Sequence, residues 1–381
     1  MGRMMGRLPA MLSRLRSLFH FQESGLILVI IGLGVILALF AGSVQRPAMQ
    51  TLPNGDVQPV MTKNAQGEDV PLMVSHNKFF NLENLAQLAK DSSFIGIMAV
   101  GMAMVIIAGG IDLSVGCVFA LAAVLAANVL HYYGPTGGGS ASPGLGLGLG
   151  VATCLGVAAL CGLINGALVV ALRVHPFIIT LGTMTIFRGI AFVVTGGQSV
   201  TDFPPMLQNV IKHETGQELY LVPSLVMLVV MVLGWIYLQR LAAGRRVFAV
   251  GGNELAARFS GIRVERVKLA VYVISAICAG LAALLSLGYY GSGSSGDAEG
   301  YELDVVAAAV IGGASLTGGR GSAFGAMLGA VVLKMISSGI ILLGIDQSYS
   351  KVIIGGAVII AVVMDKLNTS LTQRRLARAA G

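Results

Sequence analysis

Ionisable side chains sit inside or at the edge of long apolar runs, among them Asp112, Arg188, Glu302, Asp304 and Lys334. A charge within a bilayer is expensive, so such residues pair, snorkel to the surface or line a polar route. Ser114, Asn165, Thr180 and Thr183 add hydroxyl and amide groups in the same runs. Together they offer what a hydroxylated solute needs from a passage: weak hydrogen-bond partners and no covalent chemistry. The same groups serve equally well as hydrogen-bond glue between helices.

Catalytic constellations are absent from the sequence. Cys117, Cys154, Cys161 and Cys278 lie in apolar stretches, with no CxxC pair and no histidine at metal-ligand spacing, so they read as small buried hydrophobes. No GxxxxGK[ST] occurs, so no loop here cradles a nucleotide phosphate. The run GLGLGLG at 144–150 has no preceding strand to make it a dinucleotide fingerprint, and TGGQS at 195–199 reads as a turn. The expectation is a chain with no catalytic residue, no metal and no cofactor of its own.

Composition says where such a chain lives. Of 381 residues, 55% are hydrophobic and 11% charged, and mean hydropathy is +0.82. Soluble proteins carry about 25% charged residues, so a soluble enzyme, a disordered chain and a coiled coil are excluded. Runs long enough for a bilayer core of about 30 Å occur near 24–42, 94–111, 113–131, 147–172, 177–195, 220–239, 269–289, 303–319, 322–343 and 350–366. The fold class is therefore all-α: a polytopic membrane protein of about ten transmembrane helices, some of them broken.

Charge placement orients the spans. With both termini cytoplasmic, most Lys and Arg residues fall inside, and the acids gather outside, as the positive-inside rule requires. The net charge of +7 thus reports topology and not nucleic-acid binding. Residues 1–23 read as a basic amphipathic leader before an uncleaved first span. A membrane domain covers 24–367, and 368–381 is a basic cytoplasmic tail. Residues 43–93 form an external region whose prolines argue against a long regular element.

Two glycine-rich breaks share the form GGxxL[ST]xG, GGIDLSVG at 109–116 and GGASLTGG at 312–319, both at cytoplasmic turns. Broken helices with irregular backbone mark the substrate route in many transporters. Ser114 and Thr317 stand ready to satisfy carbonyls freed by the breaks. Gly321, Gly325 and Gly329 make a smooth packing stripe.

The largest cytoplasmic loop, 240–268, carries seven basic residues: Arg240, Arg245, Arg246, Arg258, Arg263, Arg266 and Lys268. Gly251 and Gly252 break the chain, and Asn253 caps a short helix with Glu254 in its first turn. Gly261 ends that helix. The small residues Ala256, Ala257 and Ser260 suit docking into a groove on a soluble partner.

This loop resembles the coupling loop of bacterial ABC importer permeases. The chain is similar in particular to the monosaccharide permeases of the ribose, xylose, arabinose and galactoside class, on AGGIDLSVG (108–116), INGALVVALRVHPFIITLGTMTIFRGIAFVVTGG (164–197) and GYELDVVAAAVIGGASLTGGRGS (300–322). The resemblance implies an inner-membrane permease with a second permease subunit, identical or homologous. It also implies a separate ABC ATPase subunit holding ATP and Mg, docked on 251–261, and a periplasmic sugar-binding protein. The long 43–78 insertion departs from the family. A branched-chain amino-acid permease and a self-contained secondary transporter are the rival readings.

Overall fold

The computed structural model describes residues 21–52, 57–64, 66–139, 143–212 and 220–356, with 359, 360 and 363. Residues 1–20 of the basic leader, the basic tail and part of the tenth expected span lie outside the described residues. Helices dominate: α1 (Phe21–Phe40), α2 (Leu82–Ile107), α3 (Val115–Tyr132), α4 (Pro143–Leu172), α5 (Pro176–Thr195), α6 (Pro205–Ile211) and α7 (Val222–Arg240). They continue as α8 (Ala242–Gly252), α9 (Glu254–Phe259), α10 (Val264–Tyr290), α11 (Tyr301–Ile311) and α12 (Ala323–Leu342). Among the described residues seven of these, α2, α3, α4, α5, α7, α10 and α12, are long and apolar enough to cross a membrane.

α2 is the axis of the bundle. Every residue from Ser92 to Ala108 is buried, and α7, α10, α11 and α12 all pack on it. It starts at Leu82, well before its apolar run, because Asn81 accepts a hydrogen bond from the Asn84 amide at 2.9 Å. Lys90 is carried inside on this extra length. Its ammonium pairs with Asp91 at 2.9 Å and lies 4.1 Å from the centre of the Tyr289 ring. The helix stops where Gly109 takes a φ of +82°.

The eighth expected span is not one helix. α11 has only eleven residues, and GGASLTGG follows it as an irregular turn. Hydropathy runs on through those glycines, but the backbone does not stay helical. At its other end α11 starts inside the protein, because residues 291–300 leave α10 and fold back as a non-helical segment. The stripe on α12 does pack: a Cβ on Gly325 would sit 2.0 Å from the Gly312 carbonyl oxygen, and one on Gly329 would sit 2.0 Å from that of Ala308.

Residues 43–77 hold six short strands: β1 (Ser43–Pro47), β2 (Met49–Thr51), β3 (Val57–Pro59), β4 (Met61–Lys63), β5 (Asp69–Pro71) and β6 (Met73–Asn77). They pair antiparallel as β1·β6, β2·β3 and β4·β5. The three ribbons meet at a closed ring of backbone bonds, each 2.7 Å: Ala48 N–H to Leu72 C=O, Leu72 N–H to Val60 C=O, and Val60 N–H to Ala48 C=O. The sequence repeats with the ring, as Pro-Ala-Met at 47–49, Pro-Val-Met at 59–61 and Pro-Leu-Met at 71–73. The all-α reading therefore needs this small three-armed β insertion added to it.

Candidate functional site

The polar residues of the membrane interior gather in three places. At the break after α2, Asp112 Oδ1 accepts from the Ser114 amide (3.0 Å) and the Ser114 hydroxyl (2.7 Å). Asn165, on α4, donates from Nδ2 to Ser114 Oγ at 2.6 Å. Thr180, on α5, donates to the Ile111 carbonyl at 3.3 Å, and Tyr272, on α10, donates to the same oxygen. Ser114 thus satisfies Asp112 rather than a freed carbonyl, and Thr317 bonds Ser315 Oγ at 2.9 Å. Thr183 is buried but bonds only its own helix, through the Thr180 carbonyl.

The second cluster is built on Arg188 of α5. Its guanidinium donates to the carbonyls of Ser295 and Asp297, both at 2.7 Å, and to Glu302 Oε1 at 3.1 Å. Glu302 is buried in the first turn of α11, where a carboxylate complements the helix dipole. One arginine therefore holds the folded-back 291–300 segment and the start of the half-helix together. Cys117, in the first turn of α3, touches Glu302 Oε1 at 3.5 Å. That turn links this cluster to the Asp112–Ser114 break beneath it.

The third place lies between α11 and α12. Lys334 acts electrostatically on Asp304, and its ammonium lies 5.4 Å from the Tyr301 ring centre. The second and third clusters both sit at the first turn of α11, which carries Tyr301, Glu302 and Asp304. Among the described residues no group of three His, Cys, Asp or Glu could hold a metal.

The 251–261 segment is ordered and clamped. Asn253 caps α9 by accepting from the Ala256 amide at 2.9 Å, and Gly261 takes φ +79° just past its end. Ser260 donates back to the Ala256 carbonyl. Glu254 pairs with Lys268 at 2.7 Å and with Arg258 at 3.6 Å, and Arg258 pairs with Glu265 at 2.7 Å. α9 is thereby fixed to the start of α10.

Two readings of this segment change. Gly251 and Gly252 do not break the chain; they are the last turn of α8. Glycine is needed there because a Cβ on Gly251 would lie 1.6 Å from the Ile107 carbonyl oxygen. Ala257 does not face outward either. It is 4% exposed and packs with Val250 and Val264. The outward side instead presents Leu255 and Phe259, 63% and 82% exposed, with Ala256 and Ser260 beside them. A six-residue helix holds too few turns for its inner face to be read from periodicity.

A family model described as branched-chain amino acid transport system / permease component matches residues 84–363. The chain is 37% identical over 286 residues to the ribose import permease protein RbsC of Bacillus subtilis, covering 74% of this chain and 84% of that one. It is 35% identical over 289 residues to RbsC of Escherichia coli, covering 75% and 87%. With the D-allose transport system permease protein AlsC of Escherichia coli it shares 34% over 295 residues, covering 77% and 86%. No solved structure matches.

Proposed function

Because the chain belongs to the branched-chain amino acid transport system / permease component family, whose sugar-importing members it is similar to, we propose that it translocates a monosaccharide or related polyol. It is a multi-pass inner-membrane permease subunit and not itself an enzyme. ABC permeases of this kind work with an ATPase and a binding protein. In this reading the ATPase partner binds ATP and Mg and docks on α9, a periplasmic binding protein delivers the sugar, and a second permease subunit, identical or homologous, completes the pore.

The observation that carries the coupling part is the state of α9. A six-residue helix has no stability of its own, yet this one is capped and tied by two ion pairs, Glu254–Lys268 and Arg258–Glu265, to the start of a spanning helix. It is held rigid while showing two large apolar side chains to the surroundings. Exposed anchors on a preorganised element are what a soluble partner binds best. Movement imposed on α9 reaches α8 directly, and Gly251 of α8 rests on the end of α2. The candidate path of Asp112, Ser114, Asn165, Thr180, Thr183, Arg188, Glu302, Asp304 and Lys334 lies along the elements that would then tilt. A pore that must release its solute calls for few and weak contacts with it along that path.

Co-reconstitution in liposomes with the ATPase and the binding protein tests this. ATP-dependent accumulation of a labelled pentose or hexose is expected. Uptake driven by an ion gradient alone, or ATP-driven uptake of leucine with no sugar transported, would overturn the reading.

A further inference from the structure

The Asp112 cluster contains two fully buried oxygen atoms with no partner: Asp112 Oδ2 and Asn165 Oδ1. Both residues are 0% exposed. They are also the two ends of one short chain of bonds, because the Ser114 hydroxyl donates to Asp112 Oδ1 at 2.7 Å and accepts from Asn165 Nδ2 at 2.6 Å. Each residue is thus satisfied on the atom facing Ser114 and unsatisfied on its other terminal atom. Buried acceptors without donors are rare and call for an explanation.

Charge narrows the explanation. An ionised carboxylate buried without a counter-charge costs several kcal/mol. The groups that face Asp112 from the packed elements supply no cation. α4 contributes Cys161 and Asn165, and α5 contributes Thr180. α10 contributes Tyr272, whose hydroxyl is committed to the Ile111 carbonyl, and Lys268, whose ammonium is engaged by Glu254 at 2.7 Å. Arg188 is taken by Glu302. A bridging water would satisfy both acceptors yet leave the negative charge in place. A hard cation gathers about six oxygens, and the neighbouring Ile111 carbonyl and Ser114 hydroxyl are already used.

We propose that Asp112 is a proton-binding site whose hydrogen, carried on Oδ2, is donated to Asn165 Oδ1. One proton then removes the charge and satisfies both orphaned atoms. It closes a ring through Asp112, Asn165 and Ser114 that fastens the 109–114 break to α4. A narrow cleft lined by Gly109, Gly110, Pro176, Lys268 and Tyr272 adjoins the break, and in this proposal the proton enters and leaves through it. Loss of the proton sets two lone-pair-bearing oxygens against each other and releases the break. The sign follows: the fastened arrangement is favoured at low pH and lost as pH rises through the titration of Asp112. The site is independent of which solute is carried.

Infrared difference spectroscopy on the purified full chain in nanodiscs tests the proposal with no partner present, so its outcome is separate from that of the transport assay. The wild type should show a carboxylic-acid carbonyl band at neutral pH that moves on deuterium exchange. That band should vanish in Asp112→Asn and shift in Asn165→Ala. Asp112→Asn has the shape and donor of the neutral acid, so its thermal unfolding should match the wild type, while Asp112→Ala should unfold at lower temperature. Absence of an Asp112-dependent acid band overturns the proposal. So does an Asp112→Asn variant as unstable as Asp112→Ala, or stabilisation of the wild type but not Asp112→Asn by sodium or potassium.

Discussion

The amide of Gly319 donates to the carbonyl of Ile107 at 2.8 Å, joining the turn after α11 to the last residue of α2. Gly319 closes one glycine-rich break and Ile107 leads into the other, and the end of α8 lies against them. A Cβ on Gly318 would sit 2.6 Å from the Gly251 carbonyl oxygen, and one on Gly319 would sit 2.8 Å from the Gly252 Cα. Three backbones therefore meet with no side chain between them. Such a contact is stiff, because it holds no rotamers that could absorb a displacement.

Gly251→Ala should disturb this junction and Gly252→Ala should not. The first places a methyl group on the Ile107 carbonyl, whereas the second meets nothing within 4 Å. Thermal unfolding in detergent should show Gly251→Ala destabilised by about 1–3 kcal/mol. Gly252→Ala should be neutral to mildly stabilised, within about 1 kcal/mol.

Phe259→Ala should leave the permease as stable as the wild type, since the ring is almost fully exposed. Binding of the ATPase, measured by titration against immobilised permease in nanodiscs, should weaken about 30-fold, the loss of one aromatic anchor worth about 2 kcal/mol. Ala257→Glu should do the reverse of a clean docking mutant. It buries an unpaired charge between Val250 and Val264, so the permease itself should unfold at lower temperature.

How much of this was legible in the sequence depended on distance along the chain. Asn253, Glu254 and Gly261 announce the start and stop of α9 because capping is decided within four residues. Arg188 and Glu302 were each recognisable as costly charges. Their pairing was not, since 114 residues separate them and only the folded-back 291–300 segment brings them together. α11 looked like a full span because hydropathy does not register a backbone break flanked by alanine and valine. The prolines at 47, 59 and 71 read as obstacles to regular structure, whereas their twelve-residue spacing is the trace the three-armed ring leaves in the sequence.

Removing one member of the Arg188–Glu302 pair should be far worse than removing both. Arg188→Leu or Glu302→Gln leaves a largely buried charge without its partner and should cost about 3–5 kcal/mol. The double variant Arg188→Met with Glu302→Met should regain part of that stability. It should not regain transport, because the Ser295 and Asp297 carbonyls lose the donor that holds their segment. Arg188→Lys should fail as well, one ammonium being a poor match for three acceptors spread over a planar fork. Unfolding temperature and liposome uptake, measured on the same preparations, separate the two effects.

The ring at Ala48, Val60 and Leu72 makes the external insertion divisible. β1·β6 pairs Pro47 with Met73, and β2·β3 pairs Met49 with Pro59. Excising residues 60–71 joins Pro59 to Leu72 and leaves Ala48 opposite Leu72 in an unbroken antiparallel ladder. The Leu72 amide then turns from Val60 to Ala48, as the next rung requires. Such a deletion should leave membrane assembly and the unfolding temperature unchanged, whereas deletion of six residues should not. An insertion built this way can gain or lose whole arms by in-frame duplication and loss of a twelve-codon unit, while the helices on either side never register the change.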